Sequence, residues 1–375
     1  MGFARGMRYT PRHLMATQST SRYLPHGPFF NQLRKRVDAH FVASGRPGNQ
    51  TPAGMLIKTA AIVAWFAVSW ALMVFVAANW WQSALCCISL GLAVAGIGFS
   101  IQHDGGHMGY SKYKWVNAVM AFALDLVGGS SYIWHWKHNV FHHSNPNITG
   151  LDVDIDIRPL ARMSPEQERR AGHRFQHFYI WPLYSFLAIK WHFVDDYINL
   201  ANGKIGAQNF PRPRGWKLAA FFLGKAAFYT WAFAVPLMFL PWWHVLLCYA
   251  LWSATLSLTL AVTFQLAHCV EGAQFPKLDL GSEPKMEWAV HQVVTSANFG
   301  LGNPFVTWYV GGLNYQIEHH LFPKVCSYRL PEIAPIVQRL CAEQGVPYKI
   351  NASTLGAIVS HTRWLRQMGQ APSKA

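Results

Sequence analysis

Residues 59–103 read TAAIVAWFAVSWALMVFVAANWWQSALCCISLGLAVAGIGFSIQH and contain no Asp, Glu, Lys or Arg. Residues 226–270 are equally free of charged side chains. A transmembrane helix needs about 20 largely apolar residues, so each stretch can hold two helices and a tight turn. Paired Trp residues in both turns are typical of the membrane–water interface. The pattern predicts two helical hairpins, with helices over about 56–78, 83–102, 219–240 and 243–267.

These hairpins predict an all-α integral membrane protein. Four buried helices of a large soluble protein are the alternative, which uncharged stretches of this length disfavour. Only 13% of the 375 residues are charged, against about 25% in an average soluble domain. We divide the chain into a basic segment, residues 1–54, a membrane domain, residues 55–345, and a C-terminal tail, residues 346–375. Residues 115–133 favour a re-entrant or interfacial helix, and residues 330–345 have helical spacing.

The net charge of +15 is unevenly placed. Basic residues precede the first helix and occur in the middle segment and the tail, whereas the hairpin turns carry none. The positive-inside rule predicts that both termini and the middle segment are cytoplasmic, and a bacterial inner membrane is the default expectation. A basic face attracts anionic lipid head groups or an acidic redox partner, and no folded basic module indicates nucleic acid. Lys58 and Lys225, near the starts of the first and third helices, are expected to extend to the interface.

Histidine clusters mark the predicted cytoplasmic boundary. The clusters are His103 with His107, His138 with His142 and His143, and Gln316 with His319 and His320, and His268 ends the fourth helix. Positions i and i+4 share one face of a helix, so paired rings can bind one metal. A single patch of this kind is more often a surface or packing feature. Eight histidines at one boundary are too many for one tetrahedral zinc. They predict a cytoplasmic helical cap that holds two metals, and a dinuclear iron centre suits oxidation of a lipid C–H bond.

Polar residues beside these clusters are candidates to accept hydrogen bonds from metal-bound imidazoles. Asp104, Asn139 and Glu318 are assigned this role because they are close to the histidines in sequence. The alternating aspartates of residues 152–156 are further candidates, although a solvated loop or strand edge explains them equally well. Four aromatic residues are candidates to line an apolar substrate tunnel: Trp134, Phe141, Trp308 and Tyr315.

The three histidine clusters, called the first, second and third box in chain order, resemble the histidine boxes of the membrane fatty acid desaturases. The glutamine that heads the third box is similar to the front-end branch of this family, and the His-Asn-x-x-His-His form of the second box is similar to cyanobacterial acyl-lipid desaturases. Three further stretches support the resemblance: Asn147-Ile-Thr-Gly-Leu-Asp-Val-Asp154, Asn303-Pro-Phe305 and the segment from Gly311 to Pro323. The resemblance covers about residues 55–345.

The resemblance implies four transmembrane helices, a cytoplasmic cap and a di-iron centre that uses O2 to introduce a cis double bond into the acyl chain of a lipid or acyl thioester. The iron ligands that it implies are His103, His107, His138, His142, His143, His268, His319 and His320. For Gln316, which stands where many relatives have His, direct ligation, ligation through water and no ligation all stay open. Stearoyl-type relatives have an Asn, a water-mediated ligand, at the position of Phe264. Supporting roles are expected for His135 and His291, which lie outside the boxes.

Many front-end relatives carry a fused cytochrome b5 domain marked by His-Pro-Gly-Gly, a motif that this sequence lacks. Electrons are therefore expected from a separate donor, an acidic ferredoxin or a free cytochrome b5. A lipid hydroxylase on the same scaffold is the alternative function, and the third box favours desaturation. A non-catalytic membrane metal-binding protein is less favoured. A transporter would place polar groups in the middle of its helices, whereas here the helix interiors are apolar and the histidines lie at the helix ends. The position of the double bond and the acyl carrier stay open.

Overall fold

The computed structural model describes residue 23 and residues 27–48, 50–277 and 286–370. Part of the predicted basic segment, residues 1–54, therefore lies outside the described residues. The helices are α1 (Pro28–Ala43), α2 (Ala53–Val76), α3 (Trp80–Gly106), α4 (Lys114–Leu126), α5 (Ser131–His142), α6 (Gln176–Tyr184), α7 (residues 187–202), α8 (Trp216–Leu237), α9 (Trp242–His268), α10 (Trp288–Val294), α11 (Pro304–Tyr309), α12 (Gln316–Leu321), α13 (Leu330–Glu343) and α14 (Thr354–Gly369). Short 3₁₀ turns occur at Val153–Ile155, Ala171–Phe175 and Ser327–Arg329. The strands are β1 (Lys204–Ile205), β2 (Gln208–Asn209), β3 (Asn298–Phe299) and β4 (Ile350–Asn351).

Within the described part of the chain, four helices are long and apolar enough to cross a membrane, namely α2, α3, α8 and α9. They confirm the two predicted hairpins, and each predicted end lies within a few residues of the observed one. Helices α3 and α9 form the centre of the bundle, where Leu90 and Val94 share a buried cluster with Trp252 and Leu256. A Cβ atom added at Gly91 would lie 2.5 Å from the Trp252 carbonyl oxygen, so glycine permits the close approach of these two helices.

Helices α4 and α5 form a sharp elbow between the hairpins. Their axes differ by 112°, and the pair would count as a fifth candidate span only if the two helices were taken together. Gly128 at the elbow has a φ of 101°, a backbone conformation that favours glycine. The Ser131 N–H donates to Asp125 Oδ2 over 3.0 Å and closes the turn. The elbow agrees with the re-entrant or interfacial helix that the sequence predicts here.

The two lysines near the starts of α2 and α8 differ from their prediction. Lys58 and Lys225 are only 3% and 2% exposed, so the expected extension of both side chains to the interface is wrong. Lys225 is compensated in place, because its Nζ donates to Asp196 Oδ2 over 2.8 Å and to the Gly128 carbonyl over 2.6 Å. This buried ion pair ties α8 to α7 and to the α4–α5 elbow. Lys58 lies instead beneath the ring of Trp308.

The cap contains both ends of the described chain. Helix α1 buries Phe29, Phe30 and Leu33 in a cluster with α10, α12 and α13, so residues 28–43 are packed into the cap. Helix α13 confirms the predicted helix near residues 330–345, with its apolar face in the same cluster. The C-terminal segment is more than a tail, because α14 buries one face against α6 and α9. Strand β4 also pairs in parallel with β3.

Candidate metal centre

Four helix ends bring the predicted histidines together. The end of α3 carries His103, with His107 one residue past it, and the end of α9 carries His268. The other rings belong to α5 and α12 and to the residue that follows α5. All eight rings are buried, at most 6% exposed, and each lies within ring-contact distance of others in the set. The eight histidines therefore converge on one side of the spans, as the sequence predicts.

The backbone of α5 explains how three rings of one box face the same space. Residues 135–142 form a π-helix, whose turn is wider than that of an α-helix. The His143 N–H donates to the His138 carbonyl oxygen over 3.0 Å, five residues apart. Ring centroids of His142 and His143 lie 5.2 and 4.7 Å from that of His138. A regular α-helix would align only His138 and His142 on one face.

The first group of ligand atoms contains His103, His107, His138 and His319. Their nearest ring nitrogens all lie within 4.8 Å of one another. His143 joins this group, because its Nε2 lies 3.2 Å from His138 Nε2 and 3.1 Å from His319 Nε2. A single ion placed among the nitrogens of the first four residues would be within reach of all four, and His143 would approach it from the side of His138 and His319.

The second group contains His142, His268 and His320, whose ligand nitrogens also lie within 4.8 Å of one another. The Gln316 amide lies against this group, with Nε2 2.9 Å from His268 Nε2 and 3.0 Å from His320 Nε2. The nitrogen and oxygen of such an amide are assigned by their hydrogen bonds, and a half-turn would direct Oε1 to the same point. The Phe264 ring packs 4.9 Å from the His268 ring and 5.1 Å from the His142 ring, so an apolar surface closes this side.

The two groups are joined by His143. Its ring stacks on that of His320 at 4.3 Å while its Nε2 faces the first group. The two sets of nitrogens are thus adjacent, and the arrangement suits two metal ions close together rather than two separate sites.

Several of the ring nitrogens lack partners, and several of the rings favour the neutral form. Among the described residues, His103 Nδ1 and Nε2, His107 Nε2, His142 Nε2 and His143 Nδ1 are buried without a hydrogen-bond partner. Buried polar atoms are rarely left this way unless an ion or water occupies the site. Burial and the neighbouring imidazoles hold the pKa values of His107, His143 and His319 well below their usual range. Neutral imidazole is the metal-binding form, so the residues present fit a dinuclear metal site.

Hydrogen bonds orient all three rings of the second group. The Nδ1–H of His142 donates to Asp152 Oδ2 over 3.0 Å, and both side chains are fully buried. His268 Nδ1 lies 3.2 Å from the carbonyl oxygen of Thr295. His320 Nδ1 in turn lies 2.9 Å from an oxygen outside the boxes, Oε1 of Gln292. Each bond leaves Nε2 free to face the common space, which selects one tautomer for all three rings.

Gln292 and Thr295 were not found from the sequence. Gln292 lies on α10, where every other residue except His291 is apolar, and its side chain is fully buried. A polar side chain within such a short apolar helix is a weak signal, and it says nothing about which ring the side chain contacts.

Asp104, Asn139 and Glu318 contact other partners than the predicted rings. Asp104 Oδ2 accepts from the Ser327 N–H at 3.1 Å and the Ser327 hydroxyl at 2.8 Å. The Asn139 amide donates to the Gly106 carbonyl oxygen at 2.7 Å. The prediction that these residues accept hydrogen bonds from the imidazoles is therefore wrong. Side chains adjacent to a histidine on a helix point to other faces, and Asp104 and Asn139 join the boxes to neighbouring segments.

Glu318 anchors the third box to the cap. Its carboxylate accepts from Asn298 Nδ2 at 2.8 Å and from the Tyr348 hydroxyl at 2.7 Å. Burial raises the pKa of Glu318 to about 7, and these two hydrogen bonds oppose that rise. The carboxylate thus holds α12 against β3 and the segment before β4 rather than orienting an imidazole.

The loop after the second box divides the aspartate run into inner and outer members. Asp152 contacts His142, whereas Asp156 pairs with Arg158 at the surface. Asp154 lies between, with Lys137 Nζ at 2.9 Å and His138 Nδ1 at 3.7 Å. Both explanations that the sequence left open for residues 152–156 thus apply to part of the segment: Asp152 accepts from an imidazole, and Asp156 lies on a solvated loop.

Asn147 fastens the same loop. It has a φ of 60°, and its side-chain amide donates to the carbonyl oxygens of His268, Gln274 and Thr295 at 3.0–3.1 Å. Its N–H also donates to Asp152 Oδ2 at 2.8 Å. One side chain therefore links the second box to the end of α9 and to the loop after α10.

The remaining predicted residues lie close by. His135 contacts Asn139, and His291 Nε2 lies 3.0 Å from the Pro146 carbonyl oxygen. The Trp134 ring stacks on His138 at 4.6 Å. Phe141 and Tyr315 belong to packed apolar clusters, so only Trp134 of these aromatic candidates lies directly against the histidine rings.

Comparisons with known proteins agree with this site. The model of the fatty acid desaturase family matches residues 78–352. The chain is 38% identical to the sn-1 linoleoyl-lipid 6-desaturase of Arthrospira platensis, over 92% of this chain and 93% of the relative. It is 36% identical to the protein of the same name in Synechocystis sp., over 95% and 100%. It is 33% identical to the acyl-lipid (8-3)-desaturase of Physcomitrium patens, over 91% and 72%. The chain therefore belongs to the fatty acid desaturase family and is an integral membrane oxidoreductase that acts on fatty acyl chains.

Proposed function

We propose that this desaturase holds two iron ions and uses O2 to introduce a cis double bond into the acyl chain of a membrane lipid. The observation that carries the proposal is the pair of adjacent, buried histidine groups at the ends of the spans. His103, His107, His138, His143 and His319 would hold one iron. His142, His268 and His320, with Gln316 beside them, would hold the other.

The bound irons would activate O2 for removal of hydrogen from two adjacent methylene groups. The chain itself supplies a dry site, neutral ring nitrogens and fixed ring orientations. Asp152 and Gln292 hold the rings of His142 and His320 through Nδ1. Phe264 and Trp134 cover the rings with apolar surface, which excludes water from the place where the acyl chain reacts.

The names of the relatives support a more specific substrate. Two relatives of nearly full coverage are named sn-1 linoleoyl-lipid 6-desaturases. We infer that this chain also acts on a glycerolipid and places the new bond on the carboxyl side of an existing one. Gln316 at the head of the third box is in keeping with this front-end position.

Orientation and electron supply complete the proposal. The basic segments outside the hairpins support cytoplasmic termini and a cytoplasmic metal centre in a bacterial inner membrane. The same charge supports a separate acidic donor, with ferredoxin preferred to free cytochrome b5. Residues 55–345 would form the membrane desaturase domain, to which α1 and α14 add parts of the cap.

The test is expression in a bacterial host that is fed C16 and C18 fatty acids and supplied with ferredoxin and its reductase. Gas chromatography–mass spectrometry of total fatty acids would reveal a new unsaturated acid, and derivatisation would locate its double bond. His319→Ala should abolish the product, and His40→Ala is the matched control because His40 is outside the site in an exposed ion pair. Iron is measured in the purified proteins.

Other results would change the assignment. A new hydroxy acid would replace desaturation by hydroxylation on the same scaffold. Iron-loaded protein that consumes no O2 after reduction would support a non-catalytic metal-binding protein. Product formation by His319→Ala at the wild-type level would contradict the assigned metal centre.

A further inference from the structure

Lys58 is a buried charge close to the metal centre. It lies near the cytoplasmic end of α2 and is 3% exposed. Its ammonium lies 5.6 Å from the centre of the Trp308 ring. A charged residue inside a membrane segment is expected to have a specific partner, because an uncompensated charge there is strongly disfavoured.

Asp104 attracts the Lys58 ammonium, but this compensation comes without a direct contact. Among the described residues, no carboxylate lies within 4.0 Å of its ammonium and no acceptor forms a hydrogen bond with it. Asp104, the nearest acidic neighbour along α3, directs Oδ2 to the N–H and hydroxyl of Ser327. The ammonium has three donors, so its capacity for hydrogen bonds is unused. Lys225 in the other hairpin has both a carboxylate and a carbonyl partner.

The helix that carries Trp308, α11, is exposed. None of the residues of α11 is buried, and Phe305 is 71% exposed. The helix nevertheless lies on the spans, since the Tyr309 hydroxyl donates to the Leu92 carbonyl oxygen at 3.0 Å. Leu92 is near the middle of α3, so this exposed aromatic helix lies alongside the apolar spans.

The same helix leads directly into the third histidine box. Gly311 and Gly312 follow it with φ of 63° and 71°. A Cβ at Gly311 would lie 2.3 Å from the Phe99 carbonyl oxygen, so this turn is pressed against α3. Lys58 thus lies beside an exposed helix that leads into the turn before Gln316 and the third-box histidines.

We propose that Lys58 binds an oxygen at the polar end of the acyl lipid, an ester carbonyl or a head-group phosphate, and so sets how far the acyl chain enters the site. The inference rests on the proposed function. A desaturase that acts near the carboxyl end must hold the polar end of its substrate only a few bonds from the metals. The Lys58 ammonium beside α11 would provide that anchor, and the apolar chain would continue past Trp134 toward the histidines.

Binding is tested without turnover. Purified wild type, Lys58→Met and Lys217→Met are heated with increasing phosphatidylglycerol or monogalactosyldiacylglycerol, and the rise of Tm is measured. Lys217 is the matched control, because it also lies over an aromatic ring near the start of a span but is exposed. We expect Lys58→Met to need about tenfold more lipid for half of the rise, as for loss of a charged hydrogen bond, and Lys217→Met to match wild type.

The two lipids distinguish the source of the oxygen. A Lys58-dependent effect with phosphatidylglycerol alone assigns the contact to phosphate, and an effect with both lipids assigns it to the ester. An equal Tm response of wild type and Lys58→Met with both lipids overturns the proposal. If Lys58→Met does not accumulate, Lys58→Gln, which keeps a donor, is used. Failure of both variants to accumulate also overturns it, because Lys58 would then serve the fold.

The second readout is the position of the double bond in cells. Lys58→Met should increase the share of products with the bond elsewhere, and Lys58→Arg should restore the wild-type position. A uniform decrease of all products without change of position overturns the proposed role while the desaturase function stands. If wild type forms no product but its Tm response to lipid still depends on Lys58, the proposed function is rejected and the proposed lipid contact stands.

Discussion

The two histidine groups of the metal centre are supported in different ways. In the second group, each of the three rings has its Nδ1 2.9–3.2 Å from a protein oxygen. In the first group, both ring nitrogens of His103 and Nε2 of His107 have no hydrogen-bond partner in the described part of the chain. His138 is an intermediate case, with Nδ1 3.7 Å from Asp154 Oδ2.

The difference follows from the surroundings of each ring. Second-group rings lie against the loop after α5 and the end of α10, which supply oxygens from side chains and backbone. His103 and His107 emerge from the end of α3 and are surrounded by Trp134 and other imidazoles. The contrast teaches that hydrogen bonds from the fold preorganise the second group, whereas the rings of His103 and His107 have no such support.

The largest effect is expected from removal of one ligand in either group. His103→Ala and His320→Ala should each lower product formation more than about 100-fold, because a lost ligand exceeds the effect of a lost outer contact. Product is measured by gas chromatography–mass spectrometry, with iron determined by mass spectrometry of the same preparations. Near-normal product from either variant would mean that only one group serves catalysis.

Asp152→Ala tests the support of the second group. We expect product formation and iron retention to fall about 10–100-fold, because the His142 ring loses the acceptor that fixes its tautomer. Asp156→Ala is the matched control, since Asp156 belongs to the same run but pairs with Arg158 at the surface. Equal effects of the two substitutions would reject the special role of Asp152.

Gln292→Leu tests the contact that Gln292, a residue outside the histidine boxes, makes with the ring of His320. The ring of His320 loses its acceptor, and product formation should fall about tenfold. Gln292→Glu keeps an oxygen at that position and should recover part of the loss. If both variants behave as wild type while retaining iron, the second group is oriented without this contact.

Asp104→Asn is expected to have the smallest effect. Asparagine keeps an oxygen that can accept from Ser327, so product formation should fall less than about tenfold. Thermal unfolding and product assays are compared with those of Asp152→Ala. A loss as large as that of Asp152→Ala would mean that Asp104 does orient a first-group ring, and the contrast between the groups would disappear.

Local patterns in the sequence predict much of this protein. Apolar stretches locate the four spans, because crossing a membrane requires a run of uncharged residues whatever the rest of the chain does. The position of His103 and His268 at span ends, with the other boxes in the polar segments, places all eight rings on one side. These inferences need only composition, helical length and spacing.

Contacts between distant segments were decided by tertiary structure. Asp104, Asn139 and Glu318 are adjacent to ligands in sequence, yet helix geometry directs them to other neighbours. Gln292 lies 28 residues before His320, and only the packing of α10 on α12 makes them partners. Lys58 and Lys225 look equivalent in sequence, but only Lys225 forms an ion pair with a buried carboxylate, that of Asp196. Hydropathy and periodicity describe how a residue relates to its own helix, whereas hydrogen bonds and ion pairs depend on which atoms of other helices arrive within about 3 Å.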